Sequence, residues 1–377
     1  MAEPAKADHV AMEDGGAPPT SPLTPAREPD RASSDGGEEG VVIAISKGYF
    51  EVSDGKRMTL CTLRGKLRAT RPQPAQRFPV GARSQRGGQS TRPARGPATE
   101  TSESAPIRIA PGDHVRYRVI AGNTDNTGVI EEVYPRRTAL ARARSESAAE
   151  HIMLANLDHA VLVFAVRNPT PHFGMLDRYL ALCEHAGIAV TICLNKVDLG
   201  IPDEVGVAVS LYAGLGYRVL LTSAATGTGV DALRALLTER VSLLTGPSGV
   251  GKSSLLNELI PEAGQRTAEI SEATGKGRHT TTGARLLAFP GGGWLADSAG
   301  IRELALWNVP AQELTSAFVE LRPYVDQCEY EDCEHSPNDD GCALQRAVAE
   351  GAITPDRFAS FERLLREARE AEEPEWQ

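Results

Sequence analysis

The residues with the clearest chemical capacity are Gly246-Pro247-Ser248-Gly249-Val250-Gly251-Lys252-Ser253-Ser254. Their G-x-x-x-x-G-K-S spacing is that of a loop whose backbone N–H groups close around phosphates. Lys252 would reach the β- and γ-phosphates and the Ser253 hydroxyl would ligate Mg²⁺. The apolar run Val241–Leu244 precedes the loop as a strand, and Leu255–Leu259 follows as the start of a helix, whose positive dipole end favours an anion. A mere turn would not need the lysine and the hydroxyl at these positions. The implied ligand is a nucleoside triphosphate.

A second string, Asn195-Lys196-Val197-Asp198, closes the apolar run Ile188–Leu194. The Asp198 carboxylate can accept from N1–H and the exocyclic amine of guanine, a donor pair that adenine lacks. The Lys196 stem would pack along the base and Asn195 would tie loops together. Ser223-Ala224, just after the strand-like Tyr217–Thr222, reads as a loop whose backbone meets the guanine carbonyl. N-K-x-D alone is a common surface turn; beside a phosphate loop it favours GTP over ATP and disfavours an ATP-dependent kinase.

Beyond the phosphate loop, Gly275-Lys276-Gly277-Arg278-His279-Thr280-Thr281-Thr282-Gly283 is a polar, glycine-rich stretch. Either Thr281 or Thr280 would ligate Mg²⁺ when the γ-phosphate is present, so that the segment orders on GTP and relaxes after hydrolysis. Strand Gly293–Ala296 leads into Asp297-Ser298-Ala299-Gly300, where Asp297 would hold Mg²⁺ through water and the Gly300 N–H would sense the γ-phosphate. In Ras-like GTPases the phosphate loop comes first and the guanine reader last. Here the reader precedes the loop, as in a circularly permuted GTPase domain, so the segment after Gly300 runs directly into the C-terminal part of the chain.

Cys328-x₄-Cys333-x-His335-x₆-Cys342 offers three thiolates and an imidazole, a set suited to one tetrahedral, structural Zn²⁺. Cys61, Cys183 and Cys193 lie in apolar surroundings and read as buried thiols.

The elements that must position these residues fall into segments. A chain of 377 residues exceeds what one core of about 250–300 residues holds, so several domains are expected. Residues 1–40 are acidic and lack apolar periodicity, and read as a disordered tail. Residues 41–134 contain short β-like runs (Val41–Ile45, Tyr49–Val52, Met58–Leu63, Ile107–Ile109, His114–Ile120 and Gly128–Val133) that fit an OB-like barrel. An insertion over 64–106 interrupts them; Arg64–Arg95 carries nine Lys or Arg and no Asp or Glu, and reads as a phosphate-seeking arm for RNA or, alternatively, a solvated loop.

Residues 135–149 form a basic linker, with Arg136, Arg137, Arg142 and Arg144. Residues 150–305 alternate apolar runs with helical spacing: strand Ala160–Val166, helix Met175–Ala186, helix Asp203–Gly214 and helix Val230–Glu239. They imply a doubly wound α/β sheet. Residues 306–377 would be a small helical zinc domain with helices Ala311–Leu321 and Pro355–Glu372. No apolar run reaches the roughly 18 residues that span a bilayer, so a cytoplasmic protein with no membrane partner is expected. The net charge of −10 argues against nucleic acid only if its distribution is ignored.

With the reader before the loop, G-R-H-T-T-T, D-S-A-G-I-R-E and the Cys₃His string in order, the chain closely resembles the bacterial ribosome small subunit-dependent GTPase A family from about Val41 to its end. The resemblance implies an OB-fold, a permuted GTPase and a zinc domain, with Mg²⁺ and one Zn²⁺ as cofactors. It also implies a GTPase that converts GTP to GDP, is stimulated by the small ribosomal subunit and binds that subunit's rRNA late in maturation. A monomer is expected. The family lacks the water-orienting glutamine after D-x-x-G. That place is Ile301 here, and the family's candidate substitute is His279; an ordinary exposed loop histidine fits the residues equally well. D-S-A-G departs from the family's usual proline before the glycine. A different class of function stays open: a GTP-controlled RNA-binding or translation-regulating module whose hydrolysis is incidental.

Overall fold

The computed structural model describes residues 37–46, 48–64, 108–120, 126–142, 151–261, 284–297, 309–331, 333–335, 339 and 341–372. Five strands close a barrel: β1 (Glu38–Ser46), β2 (Tyr49–Ser53), β3 (Met58–Leu63), β4 (His114–Val119) and β5 (Thr127–Val133), in the order β1-β2-β3-β5-β4 and back to β1. Only β3 and β5 run parallel, which is the OB arrangement. Alternation along the strands turns Val42, Phe50, Val52, Cys61, Val115, Tyr117 and Ile130 into the barrel interior. Burial pushes the Cys61 thiol up to about 12, so it behaves as a small apolar side chain.

Three expectations at the barrel's ends need correction. β1 begins at Glu38, inside the segment read as a tail, because Glu38 and Glu39 pair in register with Tyr117 and Arg116 and the Tyr117 hydroxyl donates to the Glu38 carboxylate at 3.0 Å. Arg108 and Ile109 form no strand. The buried Asp113 carboxylate accepts from the Ala110 N–H at 2.8 Å, and Arg136 spans from that carboxylate (2.7 Å) to the Arg108 carbonyl (2.6 Å), which holds a turn instead. The basic linker contains β6 (Ala139–Arg142), which pairs with β7 (His151–Ala155) and drops Leu140 and Leu154 into the core.

The central sheet has the order β10-β9-β8-β11-β13-β12: β8 (His159–Ala165), β9 (Ala189–Asn195), β10 (Arg218–Leu221), β11 (Arg240–Thr245), β12 (Arg285–Ala288) and β13 (Gly293–Asp297). All pairings are parallel except that of the edge strand β12 with β13. β8 is buried throughout, as its unbroken apolar run requires of a strand covered on both faces. Leu162 and Phe164 face one core and Val161 and Val163 the other. Helices α1 (Phe173–His185) and α2 (Asp203–Gly214) belong to the first face; α3 (Val230–Leu237) and α4 (Lys252–Leu259) cover the second. Cys183 and Cys193 are buried, as expected.

The C-terminal region packs α5 (Ala311–Ala317) and α7 (Pro355–Glu372) onto α1, and α6 (Ala343–Ala349) against the turn Arg322–Tyr324. α7 has the expected bounds, whereas α5 stops four residues before Leu321. At Phe318 the backbone turns extended (φ −100°, ψ 110°), which lets Phe318 and Leu321 bury and sets the Phe318 ring edge-on to Phe361, centroids 5.5 Å apart. Among the described residues no helix is long and apolar enough to cross a membrane.

One buried ion cluster joins the C-terminal region to the sheet domain. Arg357 of α7, 3% exposed, donates to Glu320 (Nε to Oε1, 2.6 Å) and to Asp177 of α1, and the Tyr212 hydroxyl of α2 also donates to Asp177 at 2.7 Å. Replacing Arg357→Met would strand two buried carboxylates, and urea unfolding should show a loss of about 3–5 kcal/mol. The more exposed Arg322–Glu184 pair across the same junction (2.7 Å) should be worth under about 1 kcal/mol in the same assay with Arg322→Met.

Candidate functional site

The phosphate loop leaves β11 at Thr245 and turns into α4. Gly246 (φ 146°) passes so close to β8 that a Cβ there would meet the Val163 carbonyl at 2.0 Å. Gly251 (φ 96°) is the left-handed residue that opens α4, and a Cβ there would meet the Asn195 amide at 2.3 Å. Val250, buried between them, anchors the loop. Lys252 folds across the loop, donating to the Gly246 carbonyl at 2.8 Å and the Pro247 carbonyl at 2.6 Å; burial lowers its pKa. Ser253 and Ser254 lie exposed in the first turn of α4.

Asn195 ends β9, two strands from the loop, and is 1% exposed. Its amide donates to the Val250 carbonyl at 2.8 Å. Its oxygen accepts from the Thr222 hydroxyl at 3.2 Å and the Ala224 N–H at 3.3 Å. Lys196, in a left-handed conformation (φ 64°), donates to the Gly249 carbonyl at 2.7 Å and to the Asn168 carbonyl. Asp198 is exposed, and the Ser223 hydroxyl donates to it at 2.5 Å, which orients the carboxylate. Val197 N–H bonds the Thr222 carbonyl at 3.1 Å. The structure therefore brings Asn195 and Lys196 against the loop of Gly246–Ser254, and joins Val197, Asp198, Ser223 and Ala224 to one another through Asn195 and Thr222.

Asp297 ends β13, parallel to β11 and at the same end of the sheet. His279, Thr280, Thr281 and Gly300 lie outside the described residues. One contributor escaped sequence reading: the loop after β8, whose Asn168 carbonyl holds Lys196 and whose Pro169 lies beside Gly249. The Asn168-Pro169 pair directly after a buried run was the available signal.

At the other end of the molecule, the ligand atoms of Cys328, Cys333, His335 and Cys342 lie within 4.8 Å of one another. The three sulfurs stand 3.6, 3.5 and 3.7 Å from His335 Nδ1. A zinc tetrahedron with Zn–S of about 2.3 Å and Zn–N of about 2.0 Å has S···N edges of about 3.5 Å, so the donor set fits that ion. Burial lowers the His335 pKa, keeping the imidazole in its neutral, ligating form. The Ala343 N–H donates to the Cys328 sulfur at 3.4 Å from the N-terminus of α6, which fixes the direction of that donor.

The family model for the RsgA GTPase matches residues 133–307. A Small ribosomal subunit biogenesis GTPase RsgA from Gemmatimonas aurantiaca is 42% identical over 262 residues, covering 68% of this chain and 84% of that protein. The chain belongs to the RsgA GTPase family. A Pseudomonas aeruginosa protein of the same name is 43% identical over 260 residues, covering 68% of this chain and 75% of its own. Among solved structures, YjeQ from Thermotoga maritima superposes with a TM-score of 0.63 at 28% identity, over 88% of this chain and 99% of that one. YloQ, described as a circularly permuted GTPase, gives 0.61 at 24% identity, over 90% and 97%, and so speaks to the fold. The strand order and the reader-before-loop arrangement agree with such a permuted domain.

Two outcomes follow from this geometry. Asn195→Ala removes the buried tie between Val250 and Ala224, and at about 0.5–1.5 kcal/mol per hydrogen bond should weaken GTP binding tenfold or more in a calorimetric titration while leaving the circular dichroism unchanged. Purified protein should carry one zinc per chain by elemental analysis, and Cys342→Ser should lose it.

Proposed function

We propose that the chain hydrolyses GTP to GDP and phosphate and works in the biogenesis of the small ribosomal subunit, gripping that subunit's rRNA as a cytoplasmic monomer. The observation that carries this reading is the bridge that Asn195 makes between the Ser223-Ala224 loop and the phosphate loop. It sits in a chain of the RsgA GTPase family.

In this reading the N–H groups from Gly246 to Ser254 cradle the phosphates, and Lys252 exchanges the Gly246 and Pro247 carbonyls for phosphate oxygens. Its amine is already partly stripped of water, so that exchange costs little further desolvation. Asp198, held by Ser223, accepts from the guanine N1–H and amine. Ser253 with Thr281 or Thr280 and Asp297 would hold Mg²⁺, which supplies charge neutralisation at the β- and γ-oxygens. Water attacks the γ-phosphorus, the bond to the β-phosphate oxygen breaks, and a proton is released. His279 orients that water, Gly300 meets the γ-phosphate, and docking on the subunit raises turnover. Cys328, Cys333, His335 and Cys342 hold a structural Zn²⁺, and the barrel with the basic Arg64–Arg95 stretch meets rRNA phosphates.

The test is steady-state GTP turnover of the full chain with and without purified small subunits, with large subunits as control. A rise of at least tenfold on small subunits alone is expected. Equal rates would remove ribosome activation from the account.

A further inference from the structure

α2 and α7 present different outward surfaces. α7 turns Arg366, Glu370 and Glu372 to solvent, whereas α2 after its first turn has no charged residue at all and presents Val207, 74% exposed. Positions 204, 207, 208 and 211 form one stripe along α2, spaced as successive turns of a helix face. This stripe forms one wall of a cleft of about 700 Å³; the start of α1 and the first two turns of α7 form the other. Phe173, Leu211, Tyr212 and Ala359 give the cleft an apolar floor. Exposed Val207 with half-buried Phe173 and Leu211 leaves an apolar surface open beside carboxylates.

The charges around the cleft decide what fits. Asp177 and Arg357 are consumed by the buried cluster with Glu320 and Tyr212. Arg363 donates to the Gly174 carbonyl and the Ser360 hydroxyl, both at 3.1 Å, and lies 4.0 Å from Glu367. The remaining rim is Glu204 and Asp356, joined by Asp203 in the adjoining hollow beside Val207, and no described residue pairs with any of the three. A phosphate backbone would meet the three carboxylates here against the one accessible cation Arg363, whose Nη2 already serves Gly174 and Ser360.

We infer that the cleft between α2 and α7 docks a Lys- or Arg-bearing protein segment of the small-subunit particle, which lays apolar side chains on Val207, Leu211 and Phe173 and its cations on Glu204 and Asp356. The inference rests on the small-subunit reading above and names a protein contact of the G domain alongside that reading's RNA contacts. The mode is that of an amphipathic helix or strand laid in an apolar groove. Because the cleft is bounded by α1, α2 and α7, its occupant touches the sheet domain and the C-terminal region at once.

The test uses the full chain with the photo-crosslinker p-benzoylphenylalanine at Val207, a site exposed enough to tolerate the change. It is irradiated with purified small subunits and a non-hydrolysable GTP analogue, and subunit-stimulated turnover is measured on the same preparation. The expected product is a crosslink to a Lys- or Arg-rich stretch of one subunit protein. In parallel, the double variant Glu204→Lys with Asp356→Lys should bind subunits about tenfold more weakly, with subunit-free turnover unchanged. A crosslink to rRNA or to a second copy of this chain overturns the inference. So does no crosslink in a preparation that subunits still stimulate, or a double variant that binds as well as the parent. If subunits neither bind nor stimulate the unmodified chain, the small-subunit reading itself fails, and that failure is seen before any crosslink is sought.

Discussion

The carboxamide of Asn195 is the constraint on which the nucleotide site depends. Buried at the end of β9, it must donate to one loop and accept from another: Val250 of the phosphate loop on one side, Thr222 and Ala224 on the other. An aspartate there would set a buried carboxylate against the Val250 carbonyl, and a leucine would leave both loops with unmet polar groups. The same carboxamide occupies the space a side chain at position 251 would need, so the asparagine of one loop and the glycine of the other depend on each other. Chain order has no part in this. Parallel strands put every following loop at the same sheet edge, and a permuted order of strands assembles the same cleft.

From that edge the helix α1 leads outward. It starts just after the loop whose Asn168 carbonyl holds Lys196, and within two turns it carries Gly174, Asp177 and Arg178, which bind Arg363, Arg357 and Glu367 of α7. The C-terminal region therefore rests on the same helix that follows the loop holding Lys196. Its buried apolar residues, Phe318, Leu321, Phe361 and Leu364 among them, share one core with α1, and the metal-ligand cluster and the Arg357 ion cluster add to that packing. On the opposite flank the barrel is joined to β12 by the two-point contact of Arg285 with Glu51, 2.7 and 3.3 Å, at the strand paired in register with Asp297.

Much of this was legible in the chain. The phosphate loop, the N-K-V-D string and the Cys₃His spacing are local: a few residues whose backbone conformation or ligand spacing is set by their immediate neighbours. β8 announced itself as a continuous apolar run, and α7 as a long amphipathic segment whose observed bounds are those expected. Less legible were elements whose local preference lost to a distant partner. Ile109 sits in a β-prone stretch that the Asp113–Arg136 clamp holds as a turn, and α5 ends early because burying Phe318 against Phe361 outweighs another turn of helix. Leu140 looked like part of a basic linker because the residue it pairs with, Leu154, lies beyond another segment.

By itself the sequence determined which chemistry the chain carries, since glycine spacing, a lysine, a carboxylate and four metal donors are properties of short strings. Only the tertiary structure decided that Asn195 bridges two loops, that Asp177, Glu320 and Arg357 share one buried cluster, and that α2 leaves an apolar wall open beside α7. Each of these joins residues far apart in the chain, and burial and hydrogen bonding act on distance in space, which no short string encodes.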